Sequence, residues 1–285
     1  MRAVLRLFVA CLALGWAVPA GATVLYDGSL NTTPDSQGFL YFTNGSPTVT
    51  TGGGGTTLST SVAESAGYFG HIQGTVTGGP FMGLNVDLPS PPFLPVPLDR
   101  ATGYTVQFTM QESSESHPAT TDRAGFSLIV LGSDKQGIEL GFWTDQVWAQ
   151  NDNATGGYFT HGEGTAAGFD ATAVHQYDVA ILGDAYRLYV DGQLQLNGSL
   201  RDYSASGVMI TGNTPAGPAA SEIYNTPNFL FLGDDTSEAG ASVTLSNVQM
   251  FATAVPEPSS AALALVALGM LAVFASRRRI MAHGG

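Results

Sequence analysis

Two acids, a glycine and a tryptophan alternate along one stretch of the sequence, at Glu139, Gly141, Trp143 and Asp145. Residues two apart on an extended strand point to the same face, so we expect these four on one face. A glycine beside a tryptophan leaves room over the indole, and flanking carboxylates accept hydrogen bonds from sugar hydroxyls. A saccharide pocket needs an aromatic surface with a few placed polar groups. The pattern therefore predicts a glycan-binding face.

The next run of apolar residues extends this candidate site. Trp148 lies on it, and Tyr158 or His161 is a candidate for the rim. The alternative interpretation is that Trp143 and Trp148 pack against a second sheet or a covering loop. The sequence leaves both interpretations open.

Two segments rich in side-chain oxygen atoms are candidates for a calcium site. They are Asn151-Asp152-Asn153 and Asp234-Asp235-Thr236. Calcium prefers oxygen ligands, although Asp and Asn clusters also form turns by bonding their own backbone. If calcium binds, we expect Asp152 together with Asp234 or Asp235 to hold it.

Catalysis is a weaker hypothesis for the same face. A glycosidase needs two carboxylates about 5–5.5 Å apart for retention or about 6.5–9.5 Å for inversion. Glu139 has Gly141 two positions on, and its next same-face acid is Asp145. A pair across strands, such as Glu139 with Glu163, stays open. We therefore expect no enzyme and keep a glycoside hydrolase as the third alternative.

Strong period-two alternation indicates the elements that would carry these residues. Asp191-Gly192 and Gly183-Asp184 are two-residue turn signals, and Asp-Gly favours the type I′ turn of a hairpin. The runs around them predict a three-stranded antiparallel meander that follows an earlier strand. The four runs are Tyr104–Met110, Gln176–Leu182, Ala185–Val190 and Gln193–Leu196.

Many further short strands separated by Gly and Asn turns favour two packed antiparallel sheets. A glycine-rich segment, Thr48 to Thr60, is interpreted as a mobile loop; it lacks the Lys-Ser/Thr that a phosphate loop requires. The other predicted strands are Tyr68–Ile72, Gly125–Leu131, Ile138–Trp143, Asn228–Leu232 and Ser242–Phe251.

The N-terminal segment has the three parts of a secretory signal. Arg2 and Arg6 form a positive region, Leu7 to Val18 an apolar region, and Ala20-Gly21-Ala22 a small-residue cleavage site. We expect signal peptidase to remove residues 1–22. The one cysteine, Cys11, leaves with them, so no disulfide is expected in the domain of residues 23–255.

The C-terminal segment, residues 256–285, also has three parts. A short motif precedes a predicted membrane-spanning helix at about residues 259–276, and a basic tail follows at residues 277–285. Arginines stay cytoplasmic by the positive-inside rule, so we expect the chain before Pro256 on the far side of the membrane. The motif and tail residues are Pro256, Glu257, Pro258, Arg277, Arg278 and Arg279.

The charge between the two signals excludes some partners. Five of the 10 basic residues and one of the 23 acidic residues, Glu257, lie in the signals, which leaves 5 − 22 = −17 for residues 23–255. Such a field repels nucleic acid and anionic membrane surfaces. A neutral glycan, or no charged partner, fits better.

The order of Pro-Glu-Pro, apolar helix and arginine cluster resembles the PEP-CTERM sorting signal of exported bacterial proteins. The resemblance implies processing by an exosortase-type peptidase, so that the C-terminal helix occupies the inner membrane only transiently. It also implies a location in the cell envelope, at the surface or in the extracellular matrix. An ordinary C-terminal membrane anchor is the alternative.

The domain itself resembles the "choice-of-anchor" exported domains, whose biochemical function is not established. Its meander is also similar to concanavalin-A-like and laminin-G-like jelly rolls. That likeness implies an all-β, two-sheet antiparallel β-sandwich whose concave face or rim loops bind glycans, sometimes with calcium. The segments that carry these resemblances are Val24–Gly28, Phe39–Phe42, Gly137–Trp143, Val147–Gln150, Tyr177–Asp191 and Pro227–Thr236.

Three functions follow from the sequence. The first is a non-catalytic binding module associated with exopolysaccharide. The second is a structural envelope or matrix protein without a small ligand, and the third is the glycoside hydrolase.

Overall fold

The computed structural model describes residues 21–71, 80–81, 84–85, 94, 97–152, 159–204, 224 and 226–252. Residues 1–20 of the expected signal peptide and all of residues 256–285 lie outside this part of the chain. Among the described residues, no helix is long and apolar enough to span a membrane.

The described chain consists almost entirely of β-strands. The exceptions are two short 3₁₀ helices, Gly28–Leu30 and Pro34–Gln37. The strands are β1 (Thr23–Asp27), β2 (Leu40–Asn44), β3 (Thr48–Gly52), β4 (Gly55–Ser59), β5 (Ser65–His71), β6 (Pro80–Phe81), β7 (Leu84–Asn85), β8 (Tyr104–Ser116), β9 (Phe126–Leu131), β10 (Gln136–Trp143), β11 (Gln146–Gln150), β12 (His161–Gly164), β13 (His175–Leu182), β14 (Ala185–Val190), β15 (Gln193–Ser199), β16 (Arg201–Asp202), β17 (Phe229–Asp234) and β18 (Gly240–Phe251).

These strands form two eight-stranded antiparallel sheets. The first sheet has the order β15-β14-β13-β8-β18-β4-β3, with β1 paired to β18. The second sheet has the order β12-β11-β10-β9-β17-β5-β2, with β16 paired to β10. The short β6 and β7 pair with each other. The predicted all-β, two-sheet antiparallel sandwich is confirmed.

The main core lies between the facing sides of the two sheets. Alternate residues of β8, such as Val106 and Phe108, meet alternate residues of β10, such as Leu140 and Phe142. The rings of Phe108 and Phe142 pack edge to face at 6.0 Å. Burial of such rings is the main favourable contribution to folding, and it fixes which face of β10 points outward.

The outer face of the second sheet is also covered. A second apolar cluster lies there, including Ile129 and Phe231 from the sheet and Tyr203 and Tyr224 from the covering segments. The strand β9 is therefore buried on both faces, as its continuous apolar run predicts.

The meander is confirmed with its turns. Asp191 and Gly192 have φ angles of 50° and 76°, and Gly183 has a φ of 61°. The prediction of a loop at Thr48 to Thr60 is wrong, since β3 and β4 form a hairpin there. Gly53 and Gly54 both adopt positive φ, which is what a two-residue hairpin turn requires.

Candidate functional site

The strand β10 separates its residues between two faces, as alternation predicts. Ile138, Leu140 and Phe142 enter the main core, while Glu139 lies on the outer face of the second sheet. Ser127 of β9 bonds Glu139 from the neighbouring strand on that outer face. The candidate residues are thus placed on the face opposite the main core.

The space over Gly141 is filled rather than open. The antiparallel register places Gly141 directly opposite Trp148 of β11. The Trp148 ring lies so close that an added Cβ at residue 141 would meet its Cε2 and Cζ2 at 2.8 Å. Trp148 is fully buried, because its ring packs directly against Gly141, which has no side chain to keep it away. The expected room over the Trp143 indole is therefore absent at this position.

An aromatic cluster forms the end of this face, and we define it as His117, Trp143, Trp148 and His161. The His117 ring stacks on Trp143 at 4.2 Å and 12°, and the His161 ring stacks on Trp148 at 4.3 Å and 18°. The two indoles are 5.4 Å apart. The predicted pair of tryptophans and the rim residue His161 are thus brought together, whereas Tyr158 lies outside the described residues.

Trp143 differs from Trp148 in its exposure. Its side chain is half-buried, and its Nε1 donates a hydrogen bond to the Arg123 carbonyl oxygen at 3.0 Å. Asp145 does not continue the strand, because β10 ends at Trp143 and Asp145 lies exposed in the turn before β11. The polar and aromatic groups that solvent reaches are therefore at the rim.

Glu139 lies at the centre of a buried polar network, which we define as Arg123, Glu139, Gln150, Asp152, Tyr203 and Tyr224. One carboxyl oxygen of Glu139 accepts hydrogen bonds from Ser127 Oγ at 3.2 Å and from Gln150 Nε2 at 3.4 Å. The other accepts a short hydrogen bond from the Tyr224 hydroxyl. Glu139 has no exposed surface.

Asp152 occupies the second acidic position of the buried network. It accepts hydrogen bonds from the Tyr203 hydroxyl at 2.6 Å and from the Phe159 backbone N–H at 2.7 Å. The Tyr203 and Tyr224 rings stack at 5.0 Å. The two tyrosines therefore join the two carboxyl groups through one pair of parallel rings.

Arg123 supplies the positive charge of the buried network. Its Nε donates to Thr236 Oγ1 at 3.1 Å, its Nη2 lies 3.5 Å from Asp235, and its guanidinium lies 3.8 Å over the Phe159 ring. Burial alone lowers the pKa of an arginine, but the charges of Asp235 and Glu139 outweigh it here and raise the pKa of Arg123. The arginine stays cationic in the interior.

Burial also shifts the acids of this region. It raises the pKa of Glu139 well above its ordinary value, and the charges of Asp235 and Asp152 add to the effect. It raises the pKa of Asp152 as well, against the lowering effect of the Tyr203 hydrogen bond. Both groups therefore bind protons more tightly than exposed carboxylates do.

The proposed calcium ligands are engaged by protein donors. Asp234 accepts hydrogen bonds from Thr60 Oγ1 at 2.6 Å and from the Thr236 N–H at 3.0 Å. Asp235 faces Arg123, and Asp152 is bonded as described above. Across the described ranges, no group of three or more His, Cys, Asp or Glu side chains could hold a metal ion. The calcium site stays a prediction that these contacts do not support.

The cross-strand pair of Glu139 with Glu163 has separate partners. Glu163 accepts a hydrogen bond from the Tyr186 hydroxyl at 2.6 Å and pairs with Arg201 at 2.9 Å. Neither of these residues bonds Glu139, whose partners are on the outer face. Among the described residues, the two carboxyl groups therefore share no hydrogen-bond partner that would couple them as a catalytic pair.

Several residues of the site were not identified from the sequence. His117, Arg123, Tyr203 and Tyr224 reach it from segments distant in the chain; the Tyr224 bond to Glu139, for example, spans 85 residues. A local signal existed only for His117, which follows Glu115 by two positions at the end of β8 and bonds it at 2.7 Å. Glu112, on the same strand, is a buried acid that the sequence analysis did not single out.

Comparison with known structures finds low similarity over most of the chain. One match is a carbohydrate esterase of the Shiga toxin-encoding bacteriophage phi24B, at 14% identity and a TM-score of 0.49, covering 82% of this chain and 100% of that one. A second is the carbohydrate recognition domain of Emp46p in its potassium-bound form, at 8% identity and a TM-score of 0.43. That match covers 81% of this chain and 97% of the other.

A third match is the binding domain of Paraclostridial Mosquitocidal Protein 1, at 9% identity and a TM-score of 0.45. The match covers 85% of this chain and 50% of the length of the other chain. No curated protein matches the sequence. At these identities and scores, the likenesses carry no argument about the chemistry of this chain.

The C-terminal segment of the chain matches the model of a known sequence family. Residues 254–279 match the PEP-CTERM protein-sorting motif. The match includes the Pro256-Glu257-Pro258 motif and the arginines at 277–279. The chain therefore carries a PEP-CTERM sorting signal, which implies processing by exosortase-type machinery, and it is exported across the inner membrane to the cell surface or the extracellular environment.

Proposed function

We propose that the exported sandwich is a non-catalytic module that associates with exopolysaccharide through the rim of the second sheet. The observation that carries this proposal is the half-buried Trp143, stacked on the partly exposed His117 next to the exposed Asp145. An aromatic edge beside acceptor groups matches the apolar faces and hydroxyl groups of a sugar ring. The glycan contacts the accessible edges of this stack, since His117 covers one face of the indole.

The buried network supports a non-catalytic role for Glu139. A general acid or nucleophile must reach the substrate, whereas Glu139 is fully buried and bonded by Ser127, Gln150 and Tyr224. Its interactions are those of a group that holds the covering segments on the sheet. We therefore assign binding to the rim and stabilisation to the buried network.

A structural envelope or matrix role is the second candidate. The full burial of Trp148 favours it, because one of the two predicted binding aromatics is part of the packing. Under this alternative the rim has no glycan ligand, and the domain acts as a stable exported body. The two candidates differ in whether Trp143 contributes to binding.

Calorimetric titration of the exported protein with exopolysaccharide from the producing cells tests the proposal. We expect saturable binding that Trp143→Ala weakens at least tenfold, while Phe251→Ala, which truncates a half-buried aromatic on the first sheet, leaves it unchanged. Parallel titrations with calcium and with a chelator test the predicted ion. A flat trace in every buffer would overturn the proposal in favour of the structural role.

A further inference from the structure

The chain enters and leaves the sandwich side by side. The first strand, β1, begins at Thr23 and pairs antiparallel with the last strand, β18, so that Thr23 lies opposite Met250. Strand β18 ends one residue later, at Phe251. The two segments predicted to meet the membrane, residues 1–22 and 256–285, therefore adjoin the same end of the domain.

Three turns lie at this end with the two strand ends, and we call the whole set the exit end. Phe251 lies opposite Thr105, at the start of β8. In the turn before β8, the Arg100 carbonyl accepts a hydrogen bond from Gly183 N–H, in the β13–β14 turn, at 2.8 Å. The Arg100 side chain pairs with Asp134, in the β9–β10 turn, at 2.6 Å. Side-chain and backbone bonds thus hold the exit end together.

The candidate binding rim lies at the opposite end, which we call the far end. Strand β10 leaves the β9–β10 turn and ends at Trp143, and β8 ends at Ser116, just before His117. The stack of His117 on Trp143 joins these two strand ends. Gly240, the first residue of β18, lies opposite Ser116. Strand β18 therefore runs from the far end to the exit end.

Covalent geometry limits how this domain can sit above a bilayer. The predicted membrane helix begins at about residue 259, so residues 252–258 connect it to the end of β18. Fully extended, that connection spans at most about 29 Å. The 12 residues of β18 extend over about 36 Å. The connection is shorter than the domain, which excludes an inverted domain with its far end on the bilayer.

The exit half of the domain holds most of its basic residues. Asp134 and Asp184 both pair with Arg100 and offset part of the positive charge. Four of the five basic residues between the two signals, all of which the structure describes, lie in this half: Arg100, Lys135, Arg187 and Arg201.

The far end has the opposite balance of charge. The fifth basic residue, Arg123, is buried there and lies 3.5 Å from Asp235. Exposed acids at this end include Asp145, Asp170 and Glu238. The surface of an anionic bilayer repels such charges within about one Debye length. A domain lying flat would bring these acids to the lipid, whereas an upright domain keeps them away.

We propose that the exit end faces the anionic headgroups of the inner membrane while the sorting tail is still attached. The far end, with Trp143 and His117, then points away from the bilayer. The short connection and the unequal division of charge favour the same upright orientation. This inference goes beyond glycan binding and does not depend on it, because it follows from where the chain leaves the fold and how its charges are placed.

The test measures the height of each end above the lipid. The chain with its sorting tail intact is purified from cells that lack the processing peptidase and is reconstituted into vesicles of phosphatidylethanolamine and phosphatidylglycerol. A donor dye is attached at Ala101→Cys, at the exit end, or at Ser237→Cys, at the far end, both of which are exposed positions. The one native cysteine, Cys11, is expected to leave with the signal peptide.

We expect energy transfer to a headgroup acceptor to be at least about twofold more efficient from residue 101, because the two ends differ by about 36 Å in height. A flexible Gly-Ser insertion of about 20 residues after Ala252 adds about 25 Å of mean reach, so the difference should fall. Vesicles of phosphatidylcholine alone should also reduce the difference, because they remove the repulsion.

The outcomes separate this inference from the proposed function. Equal transfer from the two positions, or more efficient transfer from residue 237, would overturn the orientation and leave glycan binding untouched. A difference that neither the insertion nor the neutral lipid reduces would also overturn the inference, since neither the connection nor the charge would then set the orientation. A flat exopolysaccharide titration would overturn the proposed function and leave this inference standing.

Discussion

Glu139 and Trp143 stand four residues apart on the same face of one strand, yet their surroundings differ. Glu139 is fully buried and accepts three hydrogen bonds from protein groups. Trp143 is half-buried, and its ring stacks on the partly exposed His117 at 4.2 Å. One region is closed, and the other is partly open to solvent.

The difference shows how stability and recognition divide one sheet face. A buried network strengthens the fold only when its members are bonded, and the network around Glu139 meets this condition at nearly every carboxyl oxygen. Three other atoms of this face, Arg123 Nη1, Gln150 Oε1 and Trp148 Nε1, have no partner among the described residues. Recognition needs groups that solvent and a ligand can reach, and on this face Trp143 and Asp145 at the rim meet that condition.

The largest expected effect is on stability, from removing the centre of the buried network. Glu139→Ala should lower the free energy of unfolding by about 3–5 kcal/mol, because Tyr224, Ser127 and the charge of Arg123 lose a buried partner. Urea unfolding of the exported protein, followed by tryptophan fluorescence, measures the loss.

Glu139→Gln is the matched control for this change. It keeps the shape and one acceptor oxygen for Ser127 or Tyr224, so its loss should be smaller than that of Glu139→Ala. If the alanine variant lost less than about 1 kcal/mol, the closed region would not stabilise the fold, and the comparison between the two regions would fail.

The next effect is a pH dependence that arises at Asp234, a buried carboxyl bonded by Thr60 and Thr236. Burial, with a contribution from the charge of Asp235, raises the pKa of Asp234 from 3.8 to about 9. A carboxyl whose pKa is raised in the folded state stabilises the protein fully at pH values below the unfolded pKa. It loses this contribution as the pH rises toward 9.

Unfolding measurements between pH 6 and 9 should therefore show a falling stability in the unmodified protein, by up to about 4 kcal/mol from this group. In Asp234→Asn the fall should be smaller, because the amide does not ionise and still accepts from Thr236 N–H. An identical pH profile in the variant would show that Asp234 is not the group responsible.

The sequence predicts which face of a sheet each strand residue points to, but not how deeply its side chain is buried. Alternation and turn residues are local, so the meander and the outward position of Glu139 were predictable. The Tyr224 bond to Glu139 joins residues 85 apart, and no local pattern reports it. The β3–β4 hairpin was missed because Gly53-Gly54 was interpreted as a mobile loop rather than as a turn with positive φ.

A smaller effect is expected from single hydroxyl groups. Tyr224→Phe should cost about 1.5–3 kcal/mol, because it removes a hydrogen bond to a buried carboxyl group. Tyr104→Phe is its counterpart in the main core, since the Tyr104 hydroxyl has no hydrogen-bond partner among the described residues. That substitution should be neutral or slightly stabilising.

Denaturant unfolding of both variants at one pH provides the comparison. Equal losses for the two substitutions would mean that ring packing, not the bond to Glu139, accounts for the role of Tyr224. That result would show that bonded and unbonded buried hydroxyl groups contribute equally to the stability of this fold.

The smallest expected effect on stability is at the rim. His117→Ala removes a stack on Trp143 and a partly exposed bond to Glu115, which together should contribute about 0.5–1.5 kcal/mol. The same variant should weaken exopolysaccharide binding by more than its effect on stability suggests, because the sugar loses one wall of its contact surface.

His161→Ala is the control inside the aromatic cluster, since His161 stacks on the buried Trp148. His161→Ala should lower the free energy of unfolding by more than His117→Ala does, and it should weaken exopolysaccharide binding by less. The reverse order would assign the recognition surface to the closed region and stabilisation to the rim.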